Sequence, residues 1–386
     1  MPEKRTYQQC SKTVLDTNDD PNIIFDAEGV CHYVYEYEQS EAKKVVKGTE
    51  GLAQLQRLVD KIKADGKDKK YDCITGVSGG VDSTYLAYKA KEYGLRPLIV
   101  HFDNGWNSEL AVQNIENIIS RLGFNLFTYV INWQEFKDLQ TAFFKANVID
   151  IEALTDHAIS ATLYKMAAEH NIKYILSGNN IVTEGILPPN WVFKDERNIK
   201  DIHKQFGSVP LKTFPFMSPK QKSYYHNVKG IEIIEPLNYL PYNKKEVKQV
   251  IISELGWRDY GGKHYESIFT RFYQGYILPH KFKVDKRKAH LSTLICSGQM
   301  TRDEVLEELK KPIYDAEQCK IDKEFFLKKM GFTEQDFDQY IQTPPRDHKA
   351  FDHYKSFFNQ YKFLKPFEKT IRKITQILKL KYDVSH

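Results

Sequence analysis

The chain has 386 residues, enough for one large α/β domain with additions, and 41% hydrophobic with 28% charged residues is ordinary for a soluble globular protein. A net charge of +5 is mild for this length; it suits an anionic small substrate and argues against a concentrated nucleic-acid-binding face. No apolar run approaches the roughly 20 residues of a membrane span. The N-terminus Met1-Pro-Glu-Lys-Arg has no apolar stretch behind it, and five scattered cysteines point to a reducing cytoplasm rather than a disulfide framework.

Residues 1–48 read as a separate small unit, with turn signals (Asn18-Asp-Asp-Pro21 and Asp26-Ala-Glu-Gly29) between the short apolar pieces 23–25 and 30–35. Thr49 then caps a helix with apolar positions Leu52, Leu55, Val59 and Ile62, ended by Gly66. From 49 to 256 strand and helix alternate. Strands are expected at 72–77, 97–102, 126–131 and 173–177, with a fifth at 231–237, and helices at 83–93, 108–122 and 155–170. Asn243 and Glu246 open a further helix that stops at Gly256. This alternation predicts an α/β fold, a parallel sheet covered on both faces, with the ligand crevice beyond the strand C-termini. Beyond Trp257 the pattern is helical: Thr301 and Glu304 form a capping box, and helices follow at 323–330 and 334–341, then a basic terminal pair from about Tyr354. The apolar spacing in 365–381 suits packing on the core, with a membrane or partner surface as the alternative.

The most informative segment is Tyr71-Asp-Cys-Ile-Thr-Gly-Val-Ser-Gly-Gly-Val-Asp-Ser83. An apolar strand breaks at Ser78-Gly79-Gly80 and reopens as a helix. Free N–H groups and the positive helix end then face one spot, and glycine lets the backbone approach a phosphate. Ser78 and Ser83 add hydroxyl donors. Asp82 repels a phosphate unless Mg²⁺ lies between them or the carboxylate caps the backbone. No lysine follows Gly80, so this is not a Walker loop.

The string Ser78-Gly-Gly-Val-Asp-Ser83 resembles the pyrophosphate loop of the PP-loop ATP pyrophosphatases (HUP-like, adenine nucleotide alpha hydrolase fold). Three further stretches narrow the resemblance: Thr183-Glu-Gly-Ile-Leu187, Lys263-His-x-Glu-Ser267 and Asp285-Lys-Arg-x-x-His-Leu-Ser292. Together these resemble the N-acetyl sugar amidotransferases of bacterial surface-polysaccharide (lipopolysaccharide O-antigen) and flagellar glycan pathways. The resemblance implies ATP and Mg²⁺, and a nucleotide-linked diacetamido sugar acid whose acetamido group becomes an acetamidino group. It also implies a partner glutaminase like the glutaminase subunit of imidazole glycerol phosphate synthase, often with a synthase-like barrel subunit. The chain itself shows no glutaminase signature.

On this reading Ser78, Gly79, Gly80 and Ser83 hold pyrophosphate, and Asp82 orients the loop or Mg²⁺. His101, Phe102, Asp103, Asn104 and Gly178 line the adenosine. Lys263, Lys286 and Arg287 supply phosphate charge, and Glu266 joins them as a catalytic candidate. Asn180, Glu184, His264, Ser267, Arg271, His290 and Ser292 are candidates for substrate binding. Glu266 and His290 orient substrate or move protons, with a structural hydrogen-bond role as the alternative. The family is also similar in an N-terminal zinc knuckle with a Cys-x-x-Cys pair at each end. Here Thr13 and Val34 stand at the second positions after Cys10 and Cys31, so no metal is expected. Two other functions compete: a tRNA-thiolating PP-loop enzyme, which needs paired catalytic cysteines or a dense basic face, and a non-catalytic assembly subunit that keeps the fold. The helical segment 257–386 is expected to form the substrate, phosphate and partner region.

Overall fold

The computed structural model describes residues 6–262 and 265–354. The segment 6–31 is built from turns and isolated bridges, Gln9 to Asp16 and Phe25 to Cys31. The apolar piece at 30–35 runs into a helix, α1 (His32–Lys44). Helix α2 (Gly48–Asp65) follows. Its N-cap is Lys47 rather than Thr49, and no side chain caps it.

The alternating part then runs β1 (Cys73–Gly76), α3 (Val81–Glu92), β2 (Pro97–Asp103), α4 (Glu109–Leu122), β3 (Asn125–Val130), α5 (Trp133–Ala146), α6 (Ala153–Glu169), β4 (Tyr174–Leu176), α7 (Ile181–Glu184), α8 (Glu196–Phe206), α9 (Pro219–Asn227), β5 (Glu232–Ile234) and α10 (Lys244–Leu255). All five expected strands are present. They form one sheet in the order β3-β2-β1-β4-β5, and every pairing is parallel.

Strand side chains alternate between two apolar layers, as the period of two demands. Cys73, Ile99 and Leu176 pack on one face with Leu55 and Val59 of α2, Leu86 of α3, Ile118 of α4 and Ile251 of α10. Ile74, Leu98, Val100 and Ile175 pack on the other with Tyr164 and Ala167 of α6. Local signals set the helix ends: Ser108 caps α4 through its side chain, and Gly123 and Gly256 close α4 and α10 in the left-handed region.

The remaining helices are α11 (Ile268–Phe272), which continues as a π-helix through Tyr273–Phe282, then α12 (Arg287–Cys296), α13 (Arg302–Lys310), α14 (Ala316–Met330) and α15 (Glu334–Gln342). The capping box of Thr301 and Glu304 is formed at the start of α13. Helices α11, α12, α14 and α15 share one apolar core with the N-terminal unit and with α5 and α8: Leu15, Tyr37, Phe136, Ile202, Phe272 and Phe326 belong to the same buried cluster. The basic terminal helices expected after Tyr354 lie outside the described residues. Among the described residues no helix is long and apolar enough to cross a membrane.

Candidate nucleotide site at the C-terminal edge of the sheet

β1 is the middle strand, with β2 and β4 on either side, so its C-terminal loop opens at the centre of the sheet edge. Gly79 adopts φ +84°, the left-handed region, which a side chain there would strain. A Cβ on Gly79 would also lie 2.7 Å from the Tyr260 hydroxyl. Ser78 is exposed at the tip, and its Oγ accepts from the Gly80 amide at 3.2 Å and approaches Ser83 Oγ at 3.4 Å. Gly80 is the N-cap of α3 and has no side chain to cap that helix. The loop therefore presents hydroxyls beside the start of a helix, where backbone N–H groups and the positive helix end suit an oxyanion.

The loop is anchored from a distance. Trp257 Nε1 and the Tyr260 hydroxyl both donate to the Gly79 carbonyl, at 2.7 and 2.9 Å. Burial pushes the Tyr260 phenol well above its ordinary pKa, so it stays a donor. A Cβ on Gly178, in the loop after β4, would meet the Ser83 amide at 3.2 Å, so this glycine permits a close approach of the two loops.

Asp82 lies in the first turn of α3 rather than in the loop. Its carboxylate accepts from the Tyr242 hydroxyl and, at 3.4 Å, from Asn180 Nδ2. Asn180 is buried and caps α7, accepting from the Thr183 amide at 3.0 Å. Glu184 lies at the end of α7 and acts electrostatically on Tyr242.

The loop after β2 is tied to itself and to its neighbours. His101 Nδ1 donates to the Val77 carbonyl at 3.0 Å, and Asn107 Nδ2 lies 2.9 Å from His101 Nε2. Phe102 stacks on Tyr129. Asp103 Oδ1 accepts from the Gly105 amide at 2.8 Å, and Asn104 bridges the Trp106 amide and Thr155 Oγ1 at 3.1 Å each. These four residues lie at the C-terminal end of β2 and in the loop after it.

The segment around residue 266 reaches the same edge. Asn107 and Ser267 form an antiparallel bridge, and the Ser108 amide donates to the Glu266 carbonyl at 2.9 Å. This delivers the Glu266 carboxylate to the glycine loop, where a Cβ on Gly80 would lie 3.2 Å from Glu266 Oε1. Asp82, two residues beyond Gly80, and Glu266 bring two carboxylates to this part of the sheet edge, hard oxygen donors of the kind that hold Mg²⁺ together with phosphate oxygens and water.

Other candidates from the sequence sit apart from the loop or are engaged elsewhere. Arg271 forks onto Asp322 and Arg287 onto Asp285, and Arg287 Nη1 also donates to the Lys311 carbonyl at 3.0 Å. Lys286 Nζ donates to Glu152 Oε2 at 3.2 Å, where Gln274 Nε2 also donates at 2.8 Å. Ser292 Oγ accepts from the Val14 amide, Ser267 caps α11, and His290 is half-buried on α12. Lys263 and His264 lie outside the described residues. The sequence reading did not pick out Tyr242, Trp257, Tyr260, Glu152 or Gln274. A Tyr just before the Asn243 helix cap, at a strand C-terminal edge, was the available signal for Tyr242.

In the N-terminal unit Cys10, Thr13, Cys31 and Val34 are all buried. The Thr13 and Cys31 amides donate to Cys10 Sγ at 3.3 and 3.2 Å, and Thr13 Oγ1 lies 3.7 Å from Cys31 Sγ. The Ile24 amide donates to His32 Nδ1 at 3.2 Å. Among the described residues no three His, Cys, Asp or Glu side chains group as metal ligands. The unit is clamped onto α12 by Lys288, which donates to Asp16 and Asp19 at 2.7 and 2.9 Å.

Residues 266–365 match the family model described as "LPS biosynthesis protein WbpG-like, C-terminal domain". This match supports the resemblance drawn from the motifs. A tRNA(Ile)-lysidine synthase from Chlamydia pneumoniae is 38% identical over 77 residues, which is 19% of this chain and 24% of that protein. The chain thus spans about a quarter of that curated relative. Among solved structures, the U34-tRNA thiolase NcsA from Methanococcus maripaludis aligns at 15% identity over 78% of this chain and 89% of its own, with a TM-score of 0.33. The NH3-dependent NAD synthetase from Campylobacter jejuni aligns at 15% identity over 55% of this chain and 96% of its own, with a TM-score of 0.29.

Proposed function

From a chain whose residues 266–365 carry a WbpG-like C-terminal domain, we propose an ATP-dependent amidotransferase of lipopolysaccharide sugar biosynthesis. The observation that carries this reading is the meeting at Gly80: a lysine-free glycine loop on the middle strand of a parallel sheet receives the Glu266 carboxylate from the WbpG-like segment. One part suits pyrophosphate, and the other brings the acceptor region to it.

The proposed substrate is a nucleotide-linked diacetamido sugar acid. An amide carbon is a poor electrophile, and its oxygen is a poor leaving group. In the first step the acetamido oxygen attacks the α-phosphorus of ATP, an O–P bond forms, and pyrophosphate leaves with the electron pair of the broken P–O bond. In the second, ammonia adds to the imidoyl carbon and AMP leaves, so an acetamidino group replaces the acetamido group. Ser78, Gly79, Gly80 and Ser83 hold the departing pyrophosphate through N–H and O–H donors and the positive end of α3. Asp82 and Glu266 are the residues for Mg²⁺, which when bound shields the phosphate charge from them. The wall at 101–104 and Gly178 would take the adenosine. Closure of the crevice protects the imidoyl adenylate from water. Ammonia is proposed to come from a docked glutaminase like that of imidazole glycerol phosphate synthase, with a barrel subunit as a further partner.

The test is incubation with ATP, Mg²⁺, ammonium and candidate nucleotide-linked diacetamido sugars, read by mass spectrometry. The expected product has an NH in place of one amide oxygen, formed with stoichiometric AMP and pyrophosphate. Substrate-dependent ADP release would overturn the reading. A tRNA-modifying function is favoured only by the 77-residue likeness to the lysidine synthase. Tight, steeply salt-dependent tRNA binding would support it in place of the sugar reading.

A further inference from the structure

Three loops of the sheet edge close on one carboxylate. Asp82 comes from the start of α3 after β1, Asn180 from the loop after β4, and Tyr242 from the segment between β5 and α10. Acidic residues in a first helical turn commonly satisfy the N–H groups of their own helix. Gly80, at the N-cap of α3, has no side chain to do so. The Asp82 carboxylate accepts from the Tyr242 hydroxyl and from Asn180 Nδ2.

Tyr242 is well held for this task. It is 9% exposed, and its ring meets Tyr85 of α3 edge-on at 5.8 Å. The next residue, Asn243, caps α10 by accepting from the Lys245 and Glu246 amides at 3.0 and 3.3 Å, which pins the backbone at this point. Its hydroxyl is the donor in the hydrogen bond to Asp82, because a carboxylate can only accept.

We propose that Tyr242 is a positioning residue of the nucleotide site, whose hydroxyl orients the Asp82 carboxylate for the cation of bound Mg·ATP. The inference rests on the nucleotide reading above. The carboxylate is then oriented before the cation arrives, as outer-shell partners of metal ligands do.

Tyr242→Phe removes only the hydroxyl. Mg·ATP binding by calorimetry on the full chain, with the Mg²⁺ dependence and the melting temperature measured alongside, tests the idea without any acceptor sugar. Affinity for Mg·ATP should fall roughly 10- to 100-fold, and half-saturation should need more Mg²⁺. Asp82→Asn should show a similar loss. The double variant should be no worse than Asp82→Asn alone, because the two residues act as one unit. Wild-type affinity in Tyr242→Phe, or losses that add in the double variant, would overturn the role of Tyr242 while the nucleotide reading stands. A wild-type chain that binds no ATP with or without Mg²⁺ overturns the nucleotide reading itself, and the role of Tyr242 with it.

Discussion

Arg271 grips Asp322 with two N–H···O bonds, Nε to Oδ2 at 2.6 Å and Nη2 to Oδ1 at 2.9 Å. The pair joins α11 to α14 inside the WbpG-like segment, and the Tyr314 hydroxyl and Gln318 Nε2 also donate to Asp322. Asp322 is 2% exposed, so the carboxylate depends on these donors. Arg271→Met should strand it and destabilise the protein by about 3–5 kcal/mol. Denaturant unfolding checks this. A fully stable variant with a raised substrate KM would assign Arg271 to the substrate instead.

Gly79 and Gly80 differ in what a methyl group would cost. Gly79 lies at φ +84°, and a Cβ there meets the Tyr260 hydroxyl at 2.7 Å. Gly80 has φ −68°, and its nearest obstacles, at 3.2 Å, are the side-chain oxygens of Glu266 and Ser78. Gly79→Ala should therefore abolish ATP binding and lower stability by roughly 1–3 kcal/mol. Gly80→Ala should retain the fold and weaken binding less. Calorimetric titration of both variants decides; equal losses would contradict the geometry.

Asp150 gives the stability a pH dependence that can be isolated. Burial raises its carboxyl to about 6 from an ordinary 3.8, although the Phe193 amide donates to it at 2.7 Å. A folded-state pKa above the unfolded one means that the folded chain holds the proton more tightly. The resulting stability is fully present below the unfolded pKa and is lost as pH rises through about 6. Asp150→Asn removes this titration. Between pH ~4 and pH ~7 wild type should lose roughly 2 kcal/mol relative to the variant. Parallel stability profiles for the two proteins would show that Asp150 does not titrate in this way.

The N-terminal unit should hold without zinc. Thr13 and Val34 are buried beside Cys10 and Cys31, and His32 is engaged with the Ile24 amide. Two thiols do not complete a tetrahedral structural site. Elemental analysis of the purified protein should find less than about one zinc per chain. Stoichiometric zinc that is lost in Cys10→Ser would reverse this expectation.

The ammonia prediction concerns the isolated chain. Among the described residues Cys73 is buried in β1, and burial raises its thiol far above the ordinary range, so it is no nucleophile for glutamine. With ammonium salts the rate should rise with pH, as more of the pool becomes neutral ammonia. Glutamine should serve only with a glutaminase partner present. Glutamine-dependent amidination by the chain alone would exclude a separate glutaminase.

The sheet and its glycine loop were legible because their signals are local. Apolar runs of strand length, bounded by glycine and polar turns, mark all five strands, and a strand, a Ser-Gly-Gly turn and a helix start can be read within 71–83. Helix starts at Asn243 and Thr301 follow from side chains next to the backbone they cap, and the end at Gly256 from a glycine that takes the left-handed region. Helices α5, α8 and α9 went unread although Asn132, Asp195 and Ser218 cap them; α9 buries none of its residues and so carries no apolar stripe. What surrounds the loop was decided by tertiary structure alone. Tyr242 reaches Asp82 across 160 residues, Lys288 reaches Asp16 across 272, and Lys286 meets Glu152 instead of standing open to phosphate. A charged or phenolic side chain carries no mark of its partner in its own neighbourhood of sequence. Which carboxylate neutralises which cation depends on the packing of elements far apart in the chain, and burial then forces each charge to take the partner that packing brings within reach.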